Sequence, residues 1–391
     1  MAMKYADKKG VISDVPQTNG QMSRRLLLAS GLAAGVSACS KPAPLIGVPS
    51  TRTLSNAELK SRGHRIYIAT TRRASEVEGE FYSGERGSSL SFAAVDVIIP
   101  PNHVAGQVER PRNPPVNPDK HFMIINPETF PTRLDLRRAM DAEMLKRPRG
   151  KREAMLWIHG YNTTLTSAVL RLAQFVEDTG YTGVPFLYSW ASQGKLTGYV
   201  YDINSALIAR DYLEDLPNLL RDSPIEGIDI IAHSMGNLAA MEAIRGVSKR
   251  EGFNSTGKLR HVILADPDID IDLFVGQLRR IPEDQRNFFV LTSGDDKALA
   301  LSARIARKPR VGQLDAAALT SLGVNVIDLT QVSDTNSINH TKFVDSPDVV
   351  QLLGSRILAG DSFDDHTRFG AGEKFILGAG GAVIAVDDVN G

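Results

Sequence analysis

Residues 227–243 run Gly227-Ile228-Asp229-Ile230-Ile231-Ala232-His233-Ser234-Met235-Gly236-Asn237-Leu238-Ala239-Ala240-Met241-Glu242-Ala243. The first part is a short apolar run rich in β-branched residues, which suits a buried strand. The last part, with Ala239, Met241 and Ala243, suits a helix. Between them sits Ser234, with Ala232 two residues before it and Gly236 two residues after. A strand that turns at once into a helix strains the residue at the turn and crowds those two positions, so small residues there are a steric requirement. The turn lifts the Ser234 hydroxyl off the sheet, aims a helix N-terminus at it and offers the Met235 N–H to a developing oxyanion. Ser61, Ser192, Ser255 and Ser321 also have Gly two residues later, but Leu59, Trp190, Phe253 and Leu319 stand two residues before them. Only Ser234 passes the filter. The alternative is an ordinary strand-to-helix turn with a cap serine.

A hydroxyl is a poor nucleophile at neutral pH, so Ser234 needs a base within reach and a carboxylate to orient that base. On a strand–turn–helix of this kind the acid and then the histidine follow the serine in the chain. Three histidines do: His261, His340 and His366. His261 opens a strand pattern, at the far edge of the sheet, and His366 lies in a polar tail. His340 follows the last strand pattern in a polar loop, which makes it the expected base. Ser293-Gly294-Asp295-Asp296-Lys297 follows the next-to-last of these strand patterns. Asp296, which begins a helix pattern, is the expected acid; Asp295, Asp268 and Asp266 are held in reserve, and either member of the Asp295–Asp296 pair could be a simple N-cap. A second oxyanion donor is expected from the backbone near Tyr161, after Leu156-Trp157-Ile158-His159-Gly160, with His159 bracing the loop.

Of 391 residues, 42% are hydrophobic and 23% charged, with 45 basic against 45 acidic, so the composition is globular and no global field favours nucleic acid or a membrane surface. The basic run 146–152 reads as a solvated loop. One cysteine, Cys39, allows no internal disulfide, and no Cys/His cluster has zinc spacing. The chemistry expected of Ser234 requires no metal and no cofactor.

Ser23-Arg24-Arg25 precedes an apolar run, residues 26–38, that Cys39 closes. This is a basic region, an apolar region and a small-residue processing site, too short to span a bilayer permanently. Val36-Ser37-Ala38-Cys39 resembles a bacterial lipobox, which makes Cys39 the expected lipidated residue, the anchor to a membrane and the mark of export. A cleaved soluble-secretion signal and an uncleaved anchor are the alternatives, and the paired arginines leave Sec and twin-arginine export both open. Residues 1–39 are thus read as a leader, with translation from Met22 an option that leaves out 1–21. Residues 40–54, with Pro42, Pro44, Gly47 and Pro49, read as a tether.

From His64 to Ile125 three strand patterns form a β-rich entry, interrupted by a glycine-bearing segment (Gly79, Gly84, Gly87) that reads as a loop. From Ala154 short apolar strand patterns (154–159, 185–190, 228–232, 261–264, 287–291, 324–329) alternate with helix patterns (165–178, 203–221, 237–249, 297–307, 348–358). That alternation predicts an α/β fold with a mostly parallel central sheet and helices on both faces. One catalytic domain over 55–360 is expected, with a tail over 361–391 in which 374–377 and 382–386 read as a hairpin or a poorly ordered end.

Together these residues resemble the bacterial esterase/lipase-like family of the α/β-hydrolase superfamily, long catalogued as a domain of unknown function. The resemblance runs from about Ile66 to Val350 and rests mainly on His159-Gly160-Tyr161-Asn162 and the Ala232–Gly236 turn. Ile68–Arg72, Ile99-Pro100-Pro101 with His103 and Gly106, Ser189–Ser192, Pro267–Asp270 and Ser293–Leu299 add support. Ala191 stands where the family usually has proline, and Ala232 where the turn usually has glycine. The resemblance implies the α/β-hydrolase fold and serine hydrolysis of a small-molecule or lipid-like ester without metal or cofactor. The same residues serve amidases and thioesterases, and a non-catalytic envelope lipoprotein using the fold as a scaffold is the rival of another class. Tyr161, Trp190, Tyr199 and Tyr201 either line a pocket or pack the rim.

Overall fold

Alternation along the strands sorts the core into two layers. The computed structural model describes residues 42–220, 222–248, 254–333, 338–354, 373–377 and 382–386. Among these, eleven strands form one sheet: β1 (Gly63–Ala74), β2 (Tyr82–Ile98), β3 (Met123–Phe130), β4 (Glu153–Ile158), β5 (Val184–Ser189), β6 (Gly227–His233), β7 (Leu259–Ala265), β8 (Phe288–Thr292), β9 (Asn325–Asp328), β10 (Glu373–Leu377) and β11 (Ala382–Val386). Their order is β10-β11-β9-β8-β7-β6-β4-β5-β1-β2-β3. From β1 to β11 every neighbouring pair is parallel; β1/β2, β2/β3 and β10/β11 are antiparallel. Met155, Trp157, Ile231, Ile263 and Leu291 face one layer, and Leu156, Ile158, Ala232, Leu264 and Val290 the other. With both faces covered, these strands need apolar residues at every position, which is why they read as continuous apolar runs.

The first layer is closed by α3 (Leu165–Thr179) and by α10 (Lys342–Asp345) with α11 (Pro347–Leu352). The second is closed by α2 (Arg133–Met144), α4 (Tyr199–Leu213), α5 (Leu216–Leu220), α6 (Gly236–Val247) and α7 (Ile271–Leu278). Two further helices, α8 (Lys297–Ala306) and α9 (Ala316–Thr320), follow β8, and α1 (Asn56–Ser61) precedes β1. The helix expected over 203–221 breaks at Glu214–Asp215, and Pro217 falls in the first turn of α5, where its missing N–H costs no helical bond.

Four expectations change. Residues 42–54 do not form a free tether: Leu45, Ile46, Val48 and Leu54 are buried in the first layer, and Ile46 and Ser50 bridge to Ile124 and Val116. The glycine-bearing segment is half strand, because β2 runs through Gly84 and Gly87 with register shifts opposite Thr70–Ala74. A Cβ at Gly84 would stand 2.9 Å from the Gln193 backbone, so that glycine marks a close approach of chains and not a loop. Helices α2 and α7 were not expected, although Leu136, Met140 and Met144 follow helical spacing and Thr132 with Asp135 forms a capping box. The tail hairpin exists as β10/β11, and β11 pairs with β9, so the sheet extends beyond residue 360. The leader, the single cysteine at position 39 and the hairpin's turn at 378–381 lie outside the described residues.

Candidate active site

Strand β6 ends at His233 and α6 begins at Gly236, leaving Ser234 and Met235 to make the turn. Ser234 has φ +52°, in the left-handed region that costs an L-residue roughly 1–3 kcal/mol. Four bonds hold it there. Its N–H donates to Ala265 O at 3.0 Å, and its carbonyl accepts from Asn237 N (3.1 Å), Asn237 Nδ2 (2.9 Å) and Asp268 N (3.3 Å). Asn237 Nδ2 also reaches Ala265 O at 2.9 Å, tying the turn to the end of β7. A Cβ at Gly236 would lie 2.5 Å from His159 O and 2.8 Å from Ile158 O. One at Gly160 would lie 2.9 Å from Ser234 Cβ. The two glycines let the loop after β4 close directly over the serine.

Strained backbone gathers at this edge. Of the eight non-glycine residues with positive φ among the described residues, Asn162, Ser234, Asp266 and Asn339 all follow the ends of β4, β6 and β7 or adjoin His340. The turns beyond β4 and β6 also leave backbone donors open: no protein acceptor meets the N–H of Met235 or Tyr161 among the described residues.

His340 and Asp296 meet. Asp296 is fully buried, and its Oδ2 lies 2.6 Å from His340 Nδ1 while its Oδ1 accepts the Leu299 N–H at 2.9 Å. Burial alone lowers the His340 pKa, but the hydrogen bond and charge of Asp296, with the charges of Asp266 and Asp268, outweigh it and leave the imidazole raised. His340 is fixed against the Ser234 turn through the neighbouring His233. That ring lies 4.8 Å from the His340 ring, and its Nε2 donates to His340 O at 3.1 Å. Burial, with His340 beside it, holds His233 well below the ordinary histidine value, so it stays neutral.

Two of the reserve acids, Asp295 and Asp268, have other hydrogen-bond partners. Asp295 accepts from Lys342 Nζ at 2.7 and 2.9 Å, from Ser293 Oγ at 2.7 Å and from Asn339 Nδ2 at 2.6 Å. Asp268 binds Ser302 Oγ (2.5 Å), Tyr199 OH (3.1 Å) and Arg310 Nε (3.1 Å). Asp266 is buried at the end of β7 and acts on His340 through its charge. His261 pairs with Asp229 at 2.8 Å near the start of β7, at the sheet edge remote from Ser234.

A second Ser–His–Asp grouping, Ser189, His159 and Asp202, lies beside the loop after β4. His159 Nε2 is 3.1 Å from Ser189 Oγ, but Asp202 bonds Ser192 Oγ at 2.5 Å and the N–H groups of Gln193 and Asn162 instead of the imidazole. His159 Nδ1 is spent on Gly160 O at 2.9 Å, its ring stacks on Trp190, and its carbonyl accepts from Trp190 Nε1 at 2.7 Å. Burial and the Arg72 charge push its pKa down to about 3. It is a neutral brace.

Sequence reasoning passed over the residue that organises this loop. Arg72, fully buried at the end of β1, donates to Ser189 Oγ (2.8 Å), Ser192 O (2.8 Å), Thr163 O (2.7 Å) and Ser83 O (3.2 Å), and reaches His159 Nε2 at 3.3 Å. One guanidinium thus joins the loops after β4 and β5 to β1 and β2. Its sequence signal is its place in the Ile68–Arg72 stretch, which carries no role by itself. A cleft of about 250 Å³ lined by Gly63, His64, Tyr181 and Pro185 opens at the starts of β1 and β5, the opposite edge from Ser234, and is not part of this site.

The family model described as "Alpha/beta hydrolase of unknown function (DUF900)" matches residues 136–356, more than half of the chain, running from within α2 past the Ser234 turn and His340. The chain belongs to this family. The α/β-hydrolase fold is therefore established for it, as the sheet order and the strand–turn–helix at Ser234 require. No curated protein matches this DUF900 chain. Among solved structures, an esterase from Pyrobaculum calidifontis is 14% identical with a TM-score of 0.33, covering 86% of this chain and 91% of that one. The lin2722 gene product of Listeria innocua is 13% identical with a TM-score of 0.33, covering 60% and 99%. Lipase B of Aspergillus fumigatus is 15% identical with a TM-score of 0.21, covering 31% of this chain, which spans about a quarter of the lipase (25%). At these scores the structural likenesses carry no argument about activity.

Proposed function

We propose that this α/β-hydrolase is a serine hydrolase that cleaves a carboxylic ester through an acyl-enzyme, with Ser234 as nucleophile, His340 as base and Asp296 as the acid that orients it. The observation that carries the reading is a strained, positive-φ serine on a strand-to-helix turn, with a carboxylate-held imidazole fixed beside that turn. His340 takes the Ser234 proton through Nε2 as the hydroxyl attacks the ester carbonyl. Asp296 keeps the proton on Nδ1 and stabilises the imidazolium that forms. The N–H groups of Met235 and the Tyr161 region receive the oxyanion, His340 returns its proton to the leaving alcohol, and a water activated the same way releases the acyl group.

Replacing Ser234 by Ala in a folded chain abolishes turnover of short-chain nitrophenyl esters under this proposal; retained turnover removes Ser234 from the chemistry. Amide and thioester substrates are the comparison panel, because the same groups act on all three. Export and anchoring through a lipidated Cys39 are part of the proposal and rest on the sequence alone.

A further inference from the structure

Helix α8 carries, on its outward side, a stripe that the fold does not use. Its inward residues Leu299 and Ser302 are buried, while Leu301 and Ile305, four residues apart on one face, are each 60% exposed. Arg304 and Arg307, also exposed, flank them. No acidic residue occurs from Lys297 to Leu314. Lys308, at the end of the stripe, is paired with Asp272 at 2.7 Å, so its charge is already met. A second apolar pair lies beside it, in the turn entering α4: Leu196 is 67% and Val200 71% exposed. The two are joined by the hydrogen bond of 2.7 Å between Tyr199 OH and Ser302 Oγ, so residues adjoining Val200 and Leu301 are in contact.

We propose that this face, α8 with the Leu196–Val200 turn, docks on an anionic lipid surface. Large aliphatic side chains at the centre with arginines beside them match a bilayer interface, where the apolar groups enter the acyl boundary and the long cationic stems reach back to the headgroups. Four exposed aliphatic side chains against only two unpaired arginines favour an interface with an acyl interior over a phosphate backbone alone, whose binding is carried by cations. The face adjoins the catalytic edge, because Asp296 caps the start of α8 and holds His340. Docking would therefore hold the catalytic edge close to the bilayer, but docking itself does not rest on the hydrolase reading.

The test uses the full chain with Cys39→Ala, which removes its sole cysteine, and a single reporter cysteine carrying an environment-sensitive fluorophore at Ile305→Cys or, as a control at the opposite sheet edge, Arg149→Cys. Phosphatidylglycerol-containing vesicles are expected to blue-shift the label at 305 and leave the label at 149 unchanged, with no response to phosphatidylcholine alone. Adding Arg304→Gln and Arg307→Asn is expected to weaken the response about twenty-five-fold, at roughly fivefold per cation near an anionic surface. A label at 305 that does not shift, shifts equally with phosphatidylcholine, shifts together with that at 149, or ignores the arginine changes overturns the proposal. No arm uses catalysis, so an inactive Ser234 leaves the result readable.

Discussion

Asp296 serves two partners with its two oxygens: Oδ1 caps α8 through the Leu299 N–H, and Oδ2 holds His340 Nδ1 at 2.6 Å. The cap fixes the carboxylate on a rigid element, and the fixed carboxylate fixes the imidazole. Asp296→Asn keeps a good capping residue, so the melting temperature should change little. It loses the charge that orients His340, so kcat on a nitrophenyl ester should fall by about 10³–10⁴. Asp295→Asn should do the reverse. Its partner Lys342 is buried, but the aspartate is partly exposed, so stability should drop by about 1 kcal/mol with kcat within a few-fold.

The pH profile of that reaction follows from the raised His340. The base must be neutral to accept the serine proton, so kcat/KM should rise with pH along a limb lying above the ordinary histidine value of about 6.5. In Asp296→Asn the limb should move to lower pH, since the stabilising charge is gone. A limb that stays in place in the variant would separate it from His340.

His103 gives a pH dependence of stability at a distance from the chemistry. Its Nδ1 meets Glu109 at 2.8 Å and its Nε2 meets Asp178 at 2.7 Å. Burial lowers its pKa, but the bonds and charges of Asp178 and Glu109 prevail and raise it to about 9. A histidine whose folded pKa is raised stabilises fully below its unfolded value and loses that contribution as pH climbs through the folded one. The melting temperature should therefore decline between about pH 6.5 and 9, and His103→Gln should flatten that decline. Thermal melts across this window check it.

Strain at Ser234 predicts opposite changes in stability and activity. Ser234→Gly relieves a positive φ and should raise stability by up to about 1 kcal/mol, whereas Ser234→Ala keeps the strain and should leave stability near wild type. Both should be inactive. Gly236→Ala, whose Cβ would meet His159 O at 2.5 Å, should cost about 1–3 kcal/mol and reduce turnover by displacing the loop after β4. Denaturant melts on the set establish the order.

Arg72 is the structural arginine of the site. Arg72→Lys keeps a cation but cannot reproduce the fork that reaches Ser189, Ser192 and Thr163, so two or more buried acceptors lose their donor. A loss of about 2–4 kcal/mol is expected, and under the proposed function turnover of the nitrophenyl ester should fall in the same variant as the loop loosens. Equal stability of Arg72→Lys and wild type would show that the loops are held by other contacts.

The central sheet was legible because strands buried on both faces are written as short apolar runs between turn residues, as at 228–232 and 287–291. The Ser234 turn was legible because its sterics reach the sequence directly, through Ala232 and Gly236. The adjacent aspartates were harder: Asp295 and Asp296 share one turn, and only the direction of each side chain, one to Lys342 and one to His340, separates them. Residues 42–54 misled because packing of Leu45, Ile46 and Val48 against the sheet leaves no period to read. Arg72 was hidden for a related reason, since its partners are mostly carbonyls and hydroxyls on distant loops, which no local pattern announces.

The most direct measurement is labelling of the folded chain with a fluorophosphonate, followed by mass spectrometry of the adduct. A single adduct on Ser234, lost in His340→Ala, is the expected result, because only a serine activated by that imidazole attacks the phosphorus. An unlabelled Ser234 in a well-folded chain, or an adduct on Ser189, would contradict it.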